Sequence, residues 1–285
     1  MKPASFTYHA PATIDEAVAL LGEHAPDDGR ILAGGQSLVP TMAFRLARPG
    51  HLVDINGVAG LDRVERVGND LVIGACVRHA AFHEPVLDGP LGAYLSRVVR
   101  DIAHYPIRQR GTFCGSVAHA DPASEWCAVV ALLDATIVAQ STRGERLIPV
   151  AEFFQGVMTT SLEEDELLRD IRLPIPAGDT RFGFCEFNRR AGDFAIAMAA
   201  VSYREENGVI ADPHIAIGGA EDRARRIAEA EQALAGKSPG PDAFAAAADA
   251  AATAVDPMED HATSAQYRRD LVRTLTRRAL EQATQ

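Results

Sequence analysis

The segment RILAGGQSLVPTMAFRLARPGHLVDI, residues 30–55, decides the fold class of this chain. It begins with an apolar strand pattern at 30–33, turns at a Gly-Gly pair, continues through a mixed segment at 37–47 and ends in a second apolar strand at 51–55. A strand, a turn, a helix and a strand within about 25 residues are typical of α/β structure. The glycine pair directly after the first strand also marks a place where a ligand could approach the backbone.

The alternation continues on both sides of this segment. Thr13 and Glu16 form a capping-box pattern for a helix at 13–24. Further predicted elements are a strand at 70–75, a helix at 91–104, an apolar helix around 124–133 and a strand at 136–139. The segment LPIPAGD, residues 173–179, predicts a linker. After it, predicted strands at 182–188, 195–203 and 213–219 precede predicted helices at 224–235, 242–255 and about 264–281, which is an α+β order.

Composition excludes several classes of protein. The chain has 285 residues, with 28 Lys and Arg against 39 Asp and Glu, and its net charge of −11 disfavours nucleic acid and anionic lipid as partners. The start has no apolar signal-peptide core, and the longest apolar run, 127–139, is broken by Asp134 and is shorter than the ~18 residues of a membrane helix. We therefore expect a cytoplasmic protein without membrane insertion. Its four isolated cysteines predict neither disulfides nor a zinc or iron–sulfur site.

The standard nucleotide-binding motifs are not matched in this sequence, and two other segments are candidates for a phosphate-binding site. Glu231 stands where a Walker A loop before Gly236-Lys237-Ser238 needs its first glycine, and no G-x-G-x-x-G follows a strand. The first candidate is ILAGGQSLVP, residues 31–40, whose successive N–H groups could surround an anion. The second is RGTFCGSVAHADPASE, residues 110–125, which we predict to be a long functional loop. The alternatives are a plain tight turn for the first and a helix start at Asp121-Pro122 for the second.

The longer segments around these candidates, AGGQSLVPTMAFRLARPGHLVDI at 33–55 and IRQRGTFCGSVAHADPASEW at 107–126, together with SAQYRRDLVRTLTRRAL at 264–280, closely resemble the FAD-binding medium subunit of the molybdenum hydroxylases. This family includes the medium chain of carbon monoxide dehydrogenase and the flavin domain of xanthine dehydrogenase. The resemblance covers essentially the whole chain in the same order. It implies an α+β protein: a two-subdomain α/β FAD-binding unit of the vanillyl-alcohol-oxidase/PCMH-like type, followed by a small α+β C-terminal domain with a three-stranded sheet and helices. The implied domains are 1–57, 58–177 and 178–285.

The resemblance also implies the residues that bind FAD. The first diphosphate loop is Ala33, Gly34, Gly35, Gln36 and Ser37, flanked by Leu32 and Leu38. The second loop, T-x-G-G-[SND] in the family, is matched by Thr112, Gly115 and Ser116, with Ala118 following and Cys114 in place of the first glycine. Glu125 matches a carboxylate that contacts the AMP half of FAD, and Ile102 and Ile107 match apolar positions near the cofactor. Phe194 matches a position beside the isoalloxazine, although 194–201 also reads as a buried strand that would place Phe194 in the core.

The function implied is electron transfer. A small subunit with [2Fe–2S] clusters would reduce the FAD of this chain, a large molybdenum-cofactor subunit would hydroxylate the substrate, and NAD or a quinone would be the external acceptor. The expected assembly is a dimer of heterotrimers, and the exposed Arg189-Arg190 pair near Phe194 is the candidate contact with the iron–sulfur partner. No residue of this chain is expected to be catalytic by itself. The alternatives are a stand-alone FAD oxidoreductase and a non-catalytic nucleotide-binding or assembly protein of the same fold.

Overall fold

A computed structural model describes residues 2–284, which form three β-sheets, a two-stranded hairpin and ten α-helices. The three sheets occupy residues 7–54, 64–174 and 181–226. The predicted boundaries at residues 57 and 177 fall in the intervals between them and stay predictions. Within the described residues, no helix is both long and apolar enough to cross a bilayer.

The first sheet is parallel and confirms the strand–turn–helix–strand prediction for residues 30–55. Its strand order is β1-β3-β2, with β1 Thr7–His9, β2 Gly29–Leu32 and β3 His51–Asp54. Its helices are α1, Ile14–His24, and α2, Leu38–Ala43. Thr13 Oγ1 accepts a hydrogen bond from Glu16 N at 3.2 Å, so Thr13 caps α1 as expected. The Glu16 carboxylate accepts from Ala12 N at 2.8 Å, one residue before the N–H that a capping box uses.

The second sheet is antiparallel and has the order β4-β5-β10-β6-β7. Its strands are β4 Val64–Val67, β5 Asp70–Gly74, β6 Thr136–Ser141, β7 Gly144–Pro149 and β10 Leu167–Pro174. The helices around it are α3 Pro90–Val98, α4 Tyr105–Arg108, α5 Phe113–His119, α6 Glu125–Leu132 and α7 Val150–Phe153. A small hairpin, β8 Phe154–Gly156 with β9 Thr159–Thr160, follows α7.

The third sheet is antiparallel, with β11 Arg181–Phe187, β12 Ala197–Glu206 and β13 Val209–Gly218 in sequence order. A two-residue edge strand, β14 Arg225–Arg226, adds a fourth member to the three strands predicted. The helices α8 Ala228–Leu234, α9 Pro241–Ala254 and α10 Ala265–Gln282 pack on one face and enclose a second apolar core. The α+β order of the C-terminal part is therefore confirmed.

Helix α6 is buried along its whole length because it lies between two sheets. Its apolar residues belong to the core of the second sheet, and it also packs against β12 and β13. Gly219 N donates to Pro122 O at 2.7 Å ahead of the helix, and His214 Nδ1 lies 2.8 Å from Leu132 O at its end. A helix that is apolar on every side is buried on every side. The third sheet is thus packed directly onto the first two-thirds of the chain.

Three predicted elements are wrong in extent. The helix predicted at 224–235 begins only at Ala228, because Arg225 and Arg226 form strand β14. The helix predicted at 91–104 ends at Val98, and the chain reverses beyond it at Ala103, whose φ of +44° is incompatible with a right-handed helix. Arg108 holds this reversal by donating to Ile102 O at 2.7 Å and Ala103 O at 3.0 Å. The predicted loop at 110–125 contains helix α5, which begins after Thr112 because Thr112 Oγ1 caps the helix by accepting from Gly115 N at 3.0 Å.

The predicted helix start at Asp121-Pro122 is also wrong. Helix α6 begins at Glu125, with Ser124 at its N-cap. Asp121 Oδ1 instead accepts a hydrogen bond from Ala123 N at 2.9 Å, so this residue closes a turn between α5 and α6.

Candidate functional site

The two glycine-rich segments face each other across one open groove of about 640 Å³. The groove lies between the first sheet and helix α5. It is lined by the whole first loop and by the start of the second, namely Leu32, Ala33, Gly34, Gly35, Gln36, Ser37, Leu38, Thr112, Gly115, Ser116 and Ala118. The structure therefore brings together two predicted segments that are about eighty residues apart in sequence.

The two loops touch at Gly34. A Cβ atom on Gly34 would lie 2.7 Å from Gly111 Cα and closer still to the Arg110 carbonyl oxygen, which no real side chain tolerates. Gly35 has φ +70°, a conformation that costs an L-residue strain. The glycine pair is therefore required by the contact between the loops and by the turn, and not only by a ligand.

The first loop presents a run of free backbone donors. Within residues 2–284, the N–H groups of residues 34–38 donate to no backbone carbonyl. Consecutive free N–H groups in a tight turn form a concave anion-binding surface. Because these groups line the groove, the residues present fit a phosphate-bearing ligand.

A pair of side chains holds the two loops together. Asn56 Nδ2 donates to Ala33 O at 2.8 Å, and Arg78 Nη2 donates to Asn56 Oδ1 at 2.5 Å. Arg78 Nη1 donates to the Arg110 carbonyl on the second loop. We call Asn56 and Arg78 the loop clamp, because they connect residue 33 with residue 110 through side-chain hydrogen bonds. Sequence reasoning missed both residues.

The second loop is shaped by the cap of α5. A Cβ atom on Gly115 would lie 2.5 Å from Thr112 Oγ1, so a glycine at this position lets the threonine reach the backbone. Cys114 has its side chain buried, and its Sγ lies 3.3 Å from Ile73 O. It has ordinary helical backbone geometry, so a cysteine replaces the family glycine without strain. Burial also raises the pKa of the Cys114 thiol well above its usual range.

Cys114→Gly should leave FAD content and the rate of flavin reduction nearly unchanged. Its thiol is buried and protonated, so it offers no nucleophile or electron carrier. We expect the variant to lose about 1–2 kcal/mol of unfolding free energy, because glycine weakens a helix and a small buried side chain is removed. Urea unfolding and flavin absorbance measure the two effects. A normal FAD content with a strongly reduced rate of flavin reduction would contradict this prediction.

Four predicted cofactor residues lie outside the groove. Ile102 is buried and Ile107 is half-buried, and they flank the chain reversal before α4. Glu125 is buried at the start of α6. Phe194 is 65% exposed in the loop before β12, so the alternative that places it in the core is wrong. The roles of these four residues at the cofactor stay predictions.

Glu125 belongs to a cluster of three carboxyl groups, with Asp101 and Glu186. Burial and, less strongly, the neighbouring Asp101 raise the pKa of Glu125 to about 7. Burial, Glu125 and Asp101 together raise the pKa of Glu186 to about 9, and burial also raises the pKa of Asp101. Glu186 Oε1 accepts from Asn188 Nδ2 at 2.8 Å, while its Oε2 is buried without a partner among the described residues. The cluster therefore retains protons that exposed carboxyl groups would release.

The free energy of unfolding of the FAD-free chain should fall as pH rises from 5 to 9. The folded chain holds protons on Glu125 and Glu186 that the unfolded chain releases above its ordinary pKa, so stability is lost as pH rises through the folded values. We expect a loss of roughly 1–3 kcal/mol. Glu186→Gln should flatten this dependence in urea titrations at several pH values. If the unfolding free energy of Glu186→Gln fell with pH as steeply as that of the unaltered chain, Glu186 would not be a source of the pH dependence. The control is Glu206→Gln, a change of an exposed residue on β12.

His79 is a groove residue that sequence reasoning missed. Its Nδ1 accepts a hydrogen bond from Trp126 Nε1 at 2.9 Å, and burial lowers its pKa to about 4, with help from Arg108 and Arg78. The ring is therefore neutral. A Cβ atom on Gly111 would lie 2.5 Å from His79 Nε2, so Gly111 leaves room for this ring. A single histidine after a predicted strand does not indicate by itself that it will be buried or that Trp126 will be its hydrogen-bond partner.

Comparison with known protein families matches nearly the whole chain. The family described as the FAD binding domain in molybdopterin dehydrogenase matches residues 4–176. The CO dehydrogenase flavoprotein C-terminal domain matches residues 182–283. The first match contains both glycine-rich loops and the loop clamp.

Individual relatives match over their full lengths. The nicotine 6-hydroxylase medium subunit of Paenarthrobacter nicotinovorans is 39% identical over 287 residues, covering 99% of each chain. The carbon monoxide dehydrogenase medium chain of Hydrogenophaga pseudoflava is 36% identical and covers 99% of this chain and 98% of that protein. Among solved structures, carbon monoxide dehydrogenase from Hydrogenophaga pseudoflava, lacking the Mo-pyranopterin moiety, aligns with a TM-score of 0.95 at 37% identity, covering 100% of this chain and 99% of that chain. Quinoline 2-oxidoreductase from Pseudomonas putida 86 aligns with a TM-score of 0.92 at 35% identity, covering 100% and 99%.

Proposed function

This chain belongs to the FAD-binding medium subunits of the molybdenum hydroxylase family and is an oxidoreductase component, and from that premise we propose that its FAD takes electrons from a [2Fe–2S] partner subunit and passes them to an external acceptor. FAD supplies the redox chemistry, because its isoalloxazine accepts and releases electrons. The protein supplies binding, orientation and a path for the donor. NAD and a quinone are the candidate acceptors.

The groove between the two loops carries this proposal. The free N–H groups of residues 34–38 would bind the FAD diphosphate, and Thr112, Gly115 and Ser116 would complete the site from the opposite side. Ile102, Ile107 and Glu125 would contact the rest of the cofactor. Among the described residues, no hydroxyl of the groove hydrogen-bonds to His79 or to His119, so none has a base beside it that would activate it as a nucleophile. The groove thus serves a cofactor better than a substrate.

The loop from Asn188 to Phe194 is the proposed contact with the iron–sulfur partner. Arg189, Arg190 and Phe194 are all exposed there. Glu186, of the carboxyl cluster with Glu125, lies on the strand that leads into this loop. An exposed aromatic ring beside paired arginines is typical of protein interfaces. The partners we propose are a small [2Fe–2S] subunit and a large molybdenum-cofactor subunit in a dimer of heterotrimers, and the relatives' names as medium subunits or medium chains support this.

Anaerobic reduction of the flavin tests the function. The purified FAD-loaded chain should keep its flavin absorbance when mixed with aldehydes, purines or N-heterocycles. Adding the two partner subunits with their substrate should bleach the flavin. Rapid bleaching by a small substrate with this chain alone would contradict electron transfer from a partner and support the stand-alone oxidoreductase. A colourless chain that binds no FAD would support the non-catalytic alternative.

Charge reversal at Arg189 and Arg190 should weaken assembly with the partners. The double variant Arg189→Glu, Arg190→Glu places two negative charges on the proposed contact loop. We expect its dissociation constant for the partner subunits to rise roughly tenfold at low ionic strength and less at high ionic strength, because salt screens exposed charges. Sedimentation at two ionic strengths measures this. The exposed control pair Arg63→Glu, Arg66→Glu on the β4 side should assemble normally, and an equal loss there would contradict a specific contact.

A further inference from the structure

Three histidines lie together on the first sheet, away from the groove. His9 ends β1, His51 begins β3 and His24 ends α1. The rings of His24 and His51 stack with centroids 3.9 Å apart, and those of His9 and His24 with centroids 4.6 Å apart. One ring nitrogen from each histidine lies within 4.8 Å of the other two. The fold brings these residues together from three separate elements.

The chemistry of the three rings suits a cation. His9 Nε2 and His51 Nδ1 lie 2.9 Å apart, so one ring donates its N–H and the other accepts it with the lone pair of an unprotonated nitrogen. Burial and the two neighbouring imidazoles lower the pKa of His9, while the Glu23 carboxylate opposes them. Neutral imidazole is the form that binds transition metals. The Glu23 carboxylate adds a negative charge near the cluster.

We propose that His9, His24 and His51 bind one divalent transition-metal ion of the Zn²⁺ class, with water completing its coordination. Nitrogen atoms bound to one tetrahedral zinc at ~2.0–2.1 Å lie roughly 3.3 Å apart. The His9–His51 pair is already near that separation, so the ion would take the place of their hydrogen bond, with the donor ring binding it as the tautomer that carries the proton on its other nitrogen. The His24 ring is now stacked on the other two at interplanar angles of 26° and 15°, so it would have to turn its ring edge toward the same point, which its half-buried position allows.

Binding would connect three elements of the first subdomain. β1 is a three-residue edge strand that pairs only with β3 among the described residues. A metal shared by His9, His24 and His51 would fasten the end of this strand to α1 and to the central strand. Because the unfolded chain does not hold the three ligands together, the ion would stabilise the folded state.

Calorimetric titration of the FAD-loaded chain with Zn²⁺ at pH 7.5 tests the proposal. We expect one ion per chain and a higher midpoint of thermal unfolding in its presence. His24→Asn and His9→Gln should each weaken binding at least about tenfold, because each removes one ligand. His261→Ala, a change of an exposed histidine outside the cluster, should bind Zn²⁺ normally. Flavin absorbance shows that each variant is folded.

Three outcomes would overturn the proposal. One is that the unaltered chain shows no saturable binding of one Zn²⁺ ion. The second is that His24→Asn and His9→Gln bind Zn²⁺ as tightly as the unaltered chain does. The third concerns pH: histidine ligands must lose their protons, so affinity should fall steeply between pH 7.5 and 5.5, and an unchanged affinity would assign the ion to carboxylates elsewhere.

Discussion

Gly34→Val should yield a folded chain that purifies without FAD. A valine at this position would collide with Gly111 and the Arg110 carbonyl, so the two loops would have to separate. Separation would misplace the free N–H groups of residues 34–38 relative to the second loop. Losing two or more hydrogen bonds to a charged diphosphate costs at least about 3 kcal/mol, which is roughly a hundredfold in affinity.

The ratio of FAD to protein after desalting measures this loss, and circular dichroism shows whether the variant is folded. Gly178→Ala is the matched control, because a Cβ atom there meets nothing within 4 Å. Gly35→Val provides a second variant, since its φ of +70° makes any branched side chain strained. Full FAD occupancy in folded Gly34→Val and Gly35→Val chains would show that the loop does not hold the cofactor.

Arg78→Ala should weaken FAD binding about 10- to 100-fold without unfolding the chain. This change removes the guanidinium that joins Asn56 to the Arg110 carbonyl, and so it frees the two loops to move apart. Hydrogen bonds to a charged group contribute about 1.5–3 kcal/mol each. When the two bonds of Arg78 are removed, part of this free energy is lost from the ordering of the loops, and only the rest lowers the affinity for FAD. Fluorescence titration of the FAD-free chain with FAD measures the change.

The loop clamp predicts a specific pattern among variants. Asn56→Ala should resemble Arg78→Ala, and the double variant should lose little more than either single variant, because both act through one connection. Arg78→Lys should not restore binding, since an ammonium group cannot span the two acceptors as a guanidinium does. Arg66→Ala, an exposed arginine whose Nε donates to Gly68 O, is the control. Additive losses in the double variant would contradict a shared role.

Local sequence patterns predicted correctly those elements that depend on residues close together in the chain. Thr13 and Ser264 start helices as their side chains indicate, and Ser264 Oγ accepts from Tyr267 N at 3.2 Å. The glycine-rich loops were identified because glycine and small hydroxyl residues cluster there in few positions. Their meeting across one groove came from the family resemblance, and the structure supports it.

The remaining features depend on contacts between distant residues. Strand β10 was not assigned, because Asp170 and Arg172 interrupt its apolar pattern, yet it is the central strand that pairs with both β5 and β6. The chain reversal that follows α3 is held by Arg108, whose guanidinium reaches back to Ile102 O and Ala103 O. Asn56, Arg78 and His79 were missed for the same reason: their partners are on other segments, and each alone looks like an ordinary polar residue.

The burial of α6 between two sheets affects how the chain can fold during its synthesis. One side of this helix is covered by β12, β13 and β14, so its outer apolar surface stays exposed until residues up to about 226 have left the ribosome. At roughly 5–20 residues per second, that interval is on the order of ten seconds. The nascent chain therefore exposes the apolar surface of this helix during that interval. We expect the N-terminal segments to finish folding only after the third sheet has been synthesised.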